Sequence, residues 1–282
     1  MLTNHARAYP LGMDVVLVVV GDEILSGHVQ DANTHFIAAR LANHGHRLRH
    51  VAVVPDEPGD IAREVQRGLE RASLVITCGG LGPTHDDRTM EGVALGLDVP
   101  LEVCESLART IEALVARVTE AGFSSGAFGV EGLRKMALAP KGAEVLPCSI
   151  GVVPAVAVAA GAGHVCILPG PPRELQTVFL ESVEPRFLDG TGDVLARDEI
   201  THPFPESTLA KILTELSLQY PATSIGSYPQ PDHTLIRVAG PAADIEAVAQ
   251  VIRAEIDALH ASEEGKRLLE FLGQRRRTKQ RD

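Results

Sequence analysis

The most apolar segments of the chain are short runs that end in polar, glycine-containing loops. Residues 15–20 and 74–78 are continuous aliphatic and β-branched runs, which is typical of parallel strands buried on both faces. Residues 48–54 form a third extended run, and residues 33–43 and 58–72 place apolar side chains at helical spacing. This alternation of strands and helices predicts an α/β fold with a doubly wound, mostly parallel sheet.

The pattern continues with a helix and then a hairpin. Residues 105–120 have a helical period, and a Gly- and Ser-rich segment follows them. Residues 152–160 and 164–168 are apolar runs separated by Gly-Ala-Gly, which predicts a hairpin at a mixed sheet edge. Prolines at 169–172 then begin another helix, because proline is tolerated in the first helical turn.

A glycine-rich stretch between residues 185 and 197 is the best domain boundary in the chain. We therefore predict a large domain over 13–188 and a smaller α+β domain over 196–261, with the order strand, helix, strand, strand, helix. The last segment, 262–282, is polar and strongly basic, and it predicts a frayed helix followed by a disordered tail.

Composition excludes several classes of protein. The chain is 45% hydrophobic with no Trp, and its net charge is −11. Because phosphate backbones select a basic surface, a nucleic-acid partner is not expected. No apolar run is long enough to cross a membrane, so no membrane partner is expected. The four cysteines match no zinc or redox spacing, which favours a reducing, cytoplasmic location.

A glycine-rich loop follows the apolar strand 74–78 and contains the strongest chemical signal in the sequence. It has the sequence Gly-Gly-Leu-Gly-Pro-Thr-His-Asp-Asp over residues 79–87. Glycines allow successive backbone N–H groups to turn toward one anion, and the Thr84 hydroxyl adds a donor. Asp86 and Asp87 place two carboxylates beside that anion, which normally needs a cation between them or one carboxylate that acts as a base or orients the leaving group. The alternative is a tight turn followed by an Asp helix cap.

Two further strands end in carboxylates. Asp22 follows the strand 15–20 in a loop that also contains Ser26, and Asn33 is a possible cap of the next helix. Asp56 follows the strand 48–54 and, taken alone, is more typical of a cap for the helix that begins near residue 58. Taken together, three consecutive strands that end in acids predict a cleft for a cation-bridged phosphate ester.

A rigid corner over residues 169–174, Pro-Gly-Pro-Pro-Arg-Glu, is the fourth candidate element. Gly170 permits close backbone approach, and the start of the following helix faces the same crevice. A simple strand-to-helix corner would also explain it. The sequence has no Walker A, GxGxxG, HExxH, GxSxG or Ser-His-Asp pattern, so we expect electrostatic placement rather than a nucleophile. His44, His46 and His50 indicate a solvated polar face rather than a metal site.

Four motifs occur together and in a fixed order: residues 21–27 (Gly-Asp-Glu-Ile-Leu-Ser-Gly), 55–56 (Pro-Asp), 79–87, and 169–175 (Pro-Gly-Pro-Pro-Arg-Glu-Leu). In this combination the chain resembles the N-terminal domain of the CinA family, a branch of the MoaB/Mog-like molybdopterin-binding fold that is also fused to FAD synthase in animals. The resemblance extends over about residues 13–260. It implies that the functional acids of Mog-type relatives correspond to Asp56 and Asp87, with Asp86 adjacent.

The resemblance implies a cation-dependent hydrolase of a nucleotide diphosphate such as ADP-ribose. It implies catalytic roles for Asp56, Asp86 and Asp87, and metal binding by Asp22 and Asp87. The expected cofactor is a divalent metal ion of open identity, with a monovalent cation as a further candidate. The partners expected are a small nucleotide or pterin ligand and a second copy of the chain in a homo-oligomer. The expected ligand-binding residues are Gly79, Gly80, Gly82, Thr84, Ser26, Asn33, Lys135, Gly170, Pro171 and Arg173.

The chain also departs from the family pattern. The usual Asn-Pro-Val-Gly-Thr-Ala-Pro-Gly segment is replaced by Cys-Ser-Ile-Gly-Val-Val-Pro-Ala at residues 148–155. An Asn-Arg-Lys-Gln-like element is replaced by Leu-Arg-Lys-Met at residues 133–136. We expect neither FAD synthesis nor the nicotinamide mononucleotide deamidase activity of the family's C-terminal domain. The loss of the family's polar residues at 148–155 favours a second hypothesis, a non-catalytic module that binds a pterin or a nucleotide.

Overall fold

A computed structural model of the chain describes residues 12–122, 129–150, 155–192 and 195–279. The described residues form two compact units, one over 12–192 and the other over 195–279. Within the described residues, no helix is both long and apolar enough to cross a membrane.

The larger unit contains eight strands among its described residues. Their bounds are β1 (Asp14–Val20), β2 (Arg47–Val54), β3 (Leu74–Cys78), β4 (Leu101–Val103), β5 (Leu138–Pro140), β6 (Glu144–Val145), β7 (Val156–Ala160) and β8 (Gly163–Leu168). The helices between and after these strands are α1 (Asp22–Leu25), α2 (Asn33–Asn43), α3 (Pro58–Leu69), α4 (Thr89–Gly96), α5 (Glu105–Glu120), α6 (Val130–Lys135) and α7 (Pro172–Val178). A π-helical segment, Phe179–Leu188, continues α7.

Six strands form the main sheet in the order β2-β1-β3-β8-β7-β6. The first four strands in this order are parallel to one another, and β7 pairs antiparallel with both β8 and β6. This arrangement confirms the predicted doubly wound, mostly parallel sheet with a hairpin at a mixed edge. Part of the predicted first hairpin strand, residues 152–154, lies outside the described residues. A separate antiparallel ribbon pairs β4 with β5.

Strand β1 supplies side chains to two hydrophobic cores, one on each face of the sheet. Val15, Leu17 and Val19 pack on the face covered by α2, α7 and the π-helical segment. The alternate residues Val16, Val18 and Val20 pack on the face covered by α3 and α4. Because successive side chains of a strand point to opposite faces, a continuous apolar run requires this cover on both sides.

The start of α2 differs from the predicted cap. The Asp31 carboxylate accepts hydrogen bonds from the N–H groups of Asn33 (2.9 Å) and Thr34 (3.0 Å), so Asp31 rather than Asn33 satisfies the helix terminus. Asn33 is buried and its amide Nδ2 donates to the Gly170 carbonyl at 2.8 Å. The prediction that Asn33 caps α2 was wrong. A local pattern does not reveal which of two nearby polar side chains, Asp31 or Asn33, turns toward the interior.

One of the three histidines near the end of α2, His46, differs from the prediction of a solvated face. His46 is only 5% exposed. Its Nδ1 accepts from the Met13 N–H at 3.0 Å, and its Nε2 lies 3.2 Å from the Leu188 carbonyl oxygen. His50 is exposed on β2. The π-helical segment is distant in sequence but covers His46, so the sequence alone could not indicate that this ring is buried.

The smaller unit contains β9 (Ala196–His202), α8 (Glu206–Gln219), β10 (Ser224–Pro229), β11 (Thr234–Gly240), α9 (Ala242–Ala261) and α10 (Glu263–Lys279). Its strands form an antiparallel sheet in the order β10-β11-β9. Helix α10 occupies the segment in which we expected a frayed helix, and its Leu268 and Leu269 pack against the core of this unit. Residues 280–282 of the basic tail, and the side chains from residue 274 onward, lie outside the described residues.

A buried histidine makes the stability of the smaller unit depend on pH. His202 is 3% exposed and neither ring nitrogen has a hydrogen-bond partner among the described residues. Burial lowers the pKa of His202 from its ordinary value of 6.5, and the nearby His260 lowers it further. Because the unfolded chain then binds more protons than the folded chain, folding stability decreases as the pH falls below that value.

We therefore expect the thermal unfolding midpoint of the smaller unit to decrease as the pH is lowered from 7 to about 5, within the range in which histidine titrates. Calorimetry of the whole chain should show that His202→Leu removes much of this dependence. The control His233→Gln alters an exposed histidine that is paired with Asp232, and it should keep the dependence. An unchanged pH profile in His202→Leu would contradict the assignment.

Candidate functional site

The carboxyl ends of β1, β2, β3 and β8 lie at one edge of the sheet because these four strands are parallel. In open α/β sheets, ligands bind in the crevice at this edge. Each of the four motifs found in the sequence follows one of these strands. The fold therefore brings together loops that are up to about 150 residues apart along the chain.

Asp22 and Asp56 meet directly at this edge. The Asp22 N–H donates to Asp56 Oδ2 at 2.9 Å. Helix α3 begins without a side-chain cap, so Asp56 turns to the crevice and the capping alternative is wrong. Burial raises the pKa of Asp56, the Asp22 N–H opposes this rise, and the negative charges of Glu23, Asp22 and Asp86 add to it.

An open cleft of about 670 Å³ lies in front of these carboxylates. The residues that line it are Asp22, Glu23, Leu25, Ser26, His28, Asp56 and Asp86. The structure thus gathers the predicted Asp22, Ser26, Asp56 and Asp86 into one cleft, which we call the acidic cleft. Glu23 and His28 also line it and were not among the predicted site residues, although both lie within or next to the recognised loop 21–27.

The glycine-rich loop after β3 approaches the end of β1 and the start of α4 too closely for any residue other than glycine at positions 79 and 80. Gly79 and Gly80 have φ values of 103° and 62°. A Cβ on Gly79 would lie 2.1 Å from the Val20 carbonyl oxygen, and a Cβ on Gly80 would lie 2.4 Å from Thr89 Oγ1. The Thr89 hydroxyl donates to the Gly79 carbonyl at 2.8 Å. Both positions therefore require glycine, and the Thr89 hydrogen bond joins the loop to the start of α4.

The carboxylates of Asp86 and Asp87, at the end of the loop, form hydrogen bonds with Thr84 and do not cap α4. The Thr84 N–H donates to Asp87 Oδ2 at 2.9 Å, and the Thr84 hydroxyl lies within hydrogen-bond distance of both Asp86 and Asp87. Helix α4 has no side-chain cap, which excludes the cap alternative for this motif. The hydrogen bond from Thr84 lowers the pKa of Asp86. Lys135 Nζ donates to the Thr84 carbonyl and adds a positive charge beside the loop.

A second, smaller pocket of about 140 Å³ lies along the same loop. Gly80, Gly82, Asp87 and Lys135 are among the residues that line it. The two residues assigned to metal binding from the sequence therefore line different pockets, Asp22 the acidic cleft and Asp87 the smaller pocket. In the part of the chain that the structure describes, no three His, Cys, Asp or Glu side chains are grouped to hold a metal ion.

The corner after β8 contacts the glycine-rich loop through its backbone. A Cβ on Gly170 would lie 3.2 Å from the Gly79 Cα, and the Gly170 carbonyl accepts from buried Asn33. Pro171 and Arg173 are exposed at the start of α7. Neither lines the acidic cleft or the smaller pocket, so this part of the predicted ligand site is adjacent to the pockets rather than within them.

Comparison with known proteins shows the family to which the larger unit belongs. The family model of a probable molybdopterin binding domain matches residues 16–189, which is nearly the whole larger unit. The chain belongs to this molybdopterin-binding domain family, and its relatives include CinA-like proteins.

Three relatives illustrate the range of this similarity. A protein from Aeropyrum pernix is 32% identical over 280 residues, covering 96% of this chain and 97% of its own. The CinA-like protein of Mycolicibacterium paratuberculosis is 37% identical over 227 residues, covering 75% of this chain and 51% of its own length. The crystal structure of protein CinA from Thermoplasma acidophilum, of unknown function, superposes with a TM-score of 0.54 at 30% identity and covers 62% of this chain and 98% of its own.

We expect Gly80→Ala to destabilise the protein more than Gly161→Ala. Both glycines have positive φ, 62° and 60°, so both substitutions introduce a similar backbone strain of about 1 kcal/mol or more. Only the Gly80 Cβ meets a close neighbour, whereas nothing lies within 4 Å of the Gly161 Cβ. Urea unfolding of the two variants should give the larger loss for Gly80→Ala. Equal decreases in the free energy of unfolding for the two variants would show that the loop relaxes away from Thr89.

We expect Asp56→Asn to raise stability at neutral pH. The folded state holds the pKa of Asp56 above its ordinary value of 3.8, so ionisation of this group costs stability as the pH rises through the interval between the unfolded and folded values. An amide oxygen can still accept from the Asp22 N–H. Thermal unfolding at pH 7 and pH 3 should show a gain only at pH 7. Asp60→Asn is the control, because Asp60 is paired with Arg63 outside the cleft.

Proposed function

We propose that the protein is a cation-dependent hydrolase of a nucleotide diphosphate such as ADP-ribose. The observation that supports this most is the mutual repulsion of the Asp22, Glu23, Asp56 and Asp86 carboxylates around one open cleft, which contributes to the raised pKa of Asp56. A cation bound among these carboxylates would relieve the repulsion and attract an anionic diphosphate to a site that otherwise repels it.

The donor set fits a metal ion that shares its coordination with the substrate. Mg²⁺ is commonly bound by one or two carboxylates together with waters and phosphate oxygens, rather than by a complete protein cage. The absence of a three-ligand group in the described residues is therefore compatible with such an ion. Asp22 and Asp86, which line the same cleft, would hold it, and the bound ion would neutralise charge on the phosphate oxygens. A monovalent cation could also occupy the cleft.

The remaining residues would bind and orient the diphosphate. The backbone of Gly80 and Gly82 is held rigidly beside the smaller pocket, where N–H groups of a glycine-rich loop can bind phosphate oxygens. Lys135 would offset the negative charge there. Asp56 would accept a hydrogen bond from the attacking water and so orient it beside the bound ion.

The second candidate is a binding module for a pterin or a nucleotide, in which Asp87 and the loops hold a ligand without turnover. A specific contact favours it. Ser149 donates from its N–H (2.7 Å) and its hydroxyl (2.5 Å) to the Glu181 carboxylate, at the segment where the family pattern has Asn and Thr. These polar groups are therefore already bound within the protein, which reduces what the segment can offer to a substrate.

Incubation of the protein with ADP-ribose and a panel of divalent ions should release AMP, and a chelator should stop the release. We expect Asp87→Asn to reduce the rate about 10²-fold or more, as loss of one positioned electrostatic group typically does. Asp60→Asn should leave the rate unchanged. Binding of ADP-ribose or of a pterin without product, measured by calorimetry, would instead support the binding module.

The oligomeric state of the protein is the subject of a separate proposal. We infer a cytoplasmic homo-oligomer, which sedimentation of the purified protein would test.

A further inference from the structure

The structure pairs a hydroxyl with an imidazole inside the acidic cleft, although the sequence has no catalytic triad pattern. Ser26 Oγ lies 2.6 Å from His28 Nδ1, and both side chains are exposed and line the cleft beside Asp22, Asp56 and Asp86. A nucleophile within hydrogen-bond reach of a base is the geometry of covalent catalysis. We propose that Ser26 is a nucleophile for phosphorus esters and anhydrides and that His28 is the base that takes its proton.

The backbone turn after α1 produces this pairing. The Ser26 N–H donates to the Asp22 carbonyl at 2.8 Å, and the His28 N–H donates to the Glu23 carbonyl at 2.9 Å. Between them Gly27 adopts φ 75°, which reverses the chain so that residues 26 and 28 present their side chains to the same space. A Cβ on Gly27 would meet no atom within 4 Å, so the described residues leave the approach to this turn open.

The reaction would proceed in two balanced steps. In the first, Ser26 Oγ attacks phosphorus, the Oγ–P bond forms as the bond to the leaving phosphate breaks, and the hydroxyl proton passes to His28 Nδ1. The leaving phosphate keeps the bonding electron pair. In the second, water attacks the same phosphorus, the Oγ–P bond breaks, and His28 returns its proton to Ser26 Oγ. The proton of the attacking water passes to Asp56 and then to solvent.

The proposal that Ser26 and His28 act in nucleotide hydrolysis rests on the proposed function. The proposal that Ser26 is a reactive nucleophile does not. An uncharged aryl fluorophosphonate tests the reactivity without a nucleotide or a metal ion. Its reaction forms an Oγ–P bond, releases fluoride and transfers the hydroxyl proton to the base. Intact-mass measurement gives the labelling rate of the whole protein, and peptide mapping gives the labelled residue.

We expect one adduct at Ser26, no adduct at that site in Ser26→Ala, and labelling about 10²-fold or more slower in His28→Gln, since a positioned general base typically contributes that much. His50→Gln alters an exposed histidine on β2 and should label like the unmodified protein. Ser106 is an internal reference, because it is also exposed but its hydroxyl contacts the Cys104 thiol. Labelling of Ser26 no faster than of Ser106, or unchanged by His28→Gln, would overturn the proposal.

A second arm separates this proposal from the proposed function. Acid quenching during incubation with ADP-ribose and Mg²⁺ should trap a phosphoester on Ser26. If Ser26 is labelled by the fluorophosphonate in a His28-dependent way but ADP-ribose is not cleaved, the nucleophile stands and the proposed hydrolase fails. If Ser26→Ala releases AMP at the rate of the unmodified protein, the hydrolase stands and the covalent role of Ser26 fails.

Discussion

The burial of β1 on both of its faces is the constraint on which the larger unit depends. Six of its seven residues are buried, from Val15 to Val20, and alternate side chains enter two different cores. Such a strand requires parallel neighbours and a helical layer on each side. Its polar continuation must therefore emerge at the carboxyl edge of the sheet, and this brings Asp22 beside the end of β2, where Asp56 follows.

Close backbone approach then fixes the loops at this edge. Gly79 lies close to the Val20 carbonyl and Gly170 lies close to Gly79, so the ends of β1, β3 and β8 are in contact with one another. Burial, together with repulsion from neighbouring carboxylates, raises the pKa of Asp56 at the end of β2 beside these loops. Like charges gathered at one edge of the sheet lower the stability of the fold. Sites with such perturbed pKa values are commonly functional.

Two local pairs show how side chains near the motifs find partners of their own. Ser149 binds Glu181 at the segment where the family pattern differs, and Ser26 binds His28 in the loop that begins with Asp22. In the first pair a carboxylate accepts both polar hydrogens of the serine. In the second pair the imidazole can exchange a proton with the hydroxyl, and the pair lies in an open cleft. The chemistry available to a serine is thus set by its partner.

Periodicity and composition alone determined the larger features of the fold. The apolar runs indicated buried parallel strands, the helical spacing indicated α2, α3 and α5, and the motifs indicated the family, because these signals depend on short segments whose burial is unambiguous. The sequence also placed acids after β1, β2 and β3, and parallel strands necessarily bring such residues to one edge.

Only the tertiary structure decided which of these polar side chains face one another. It separated Asp22 from Asp87 into two pockets, turned Asp86 and Asp87 back to Thr84, buried His46 and Asn33, and joined His28 to Ser26. The direction in which a polar side chain points depends on contacts with segments far away in the chain. His46 contacts Leu188, and Asn33 contacts Gly170. A local pattern contains no information about those contacts, because hydrogen bonds and sterics between distant segments arise only when the chain is folded.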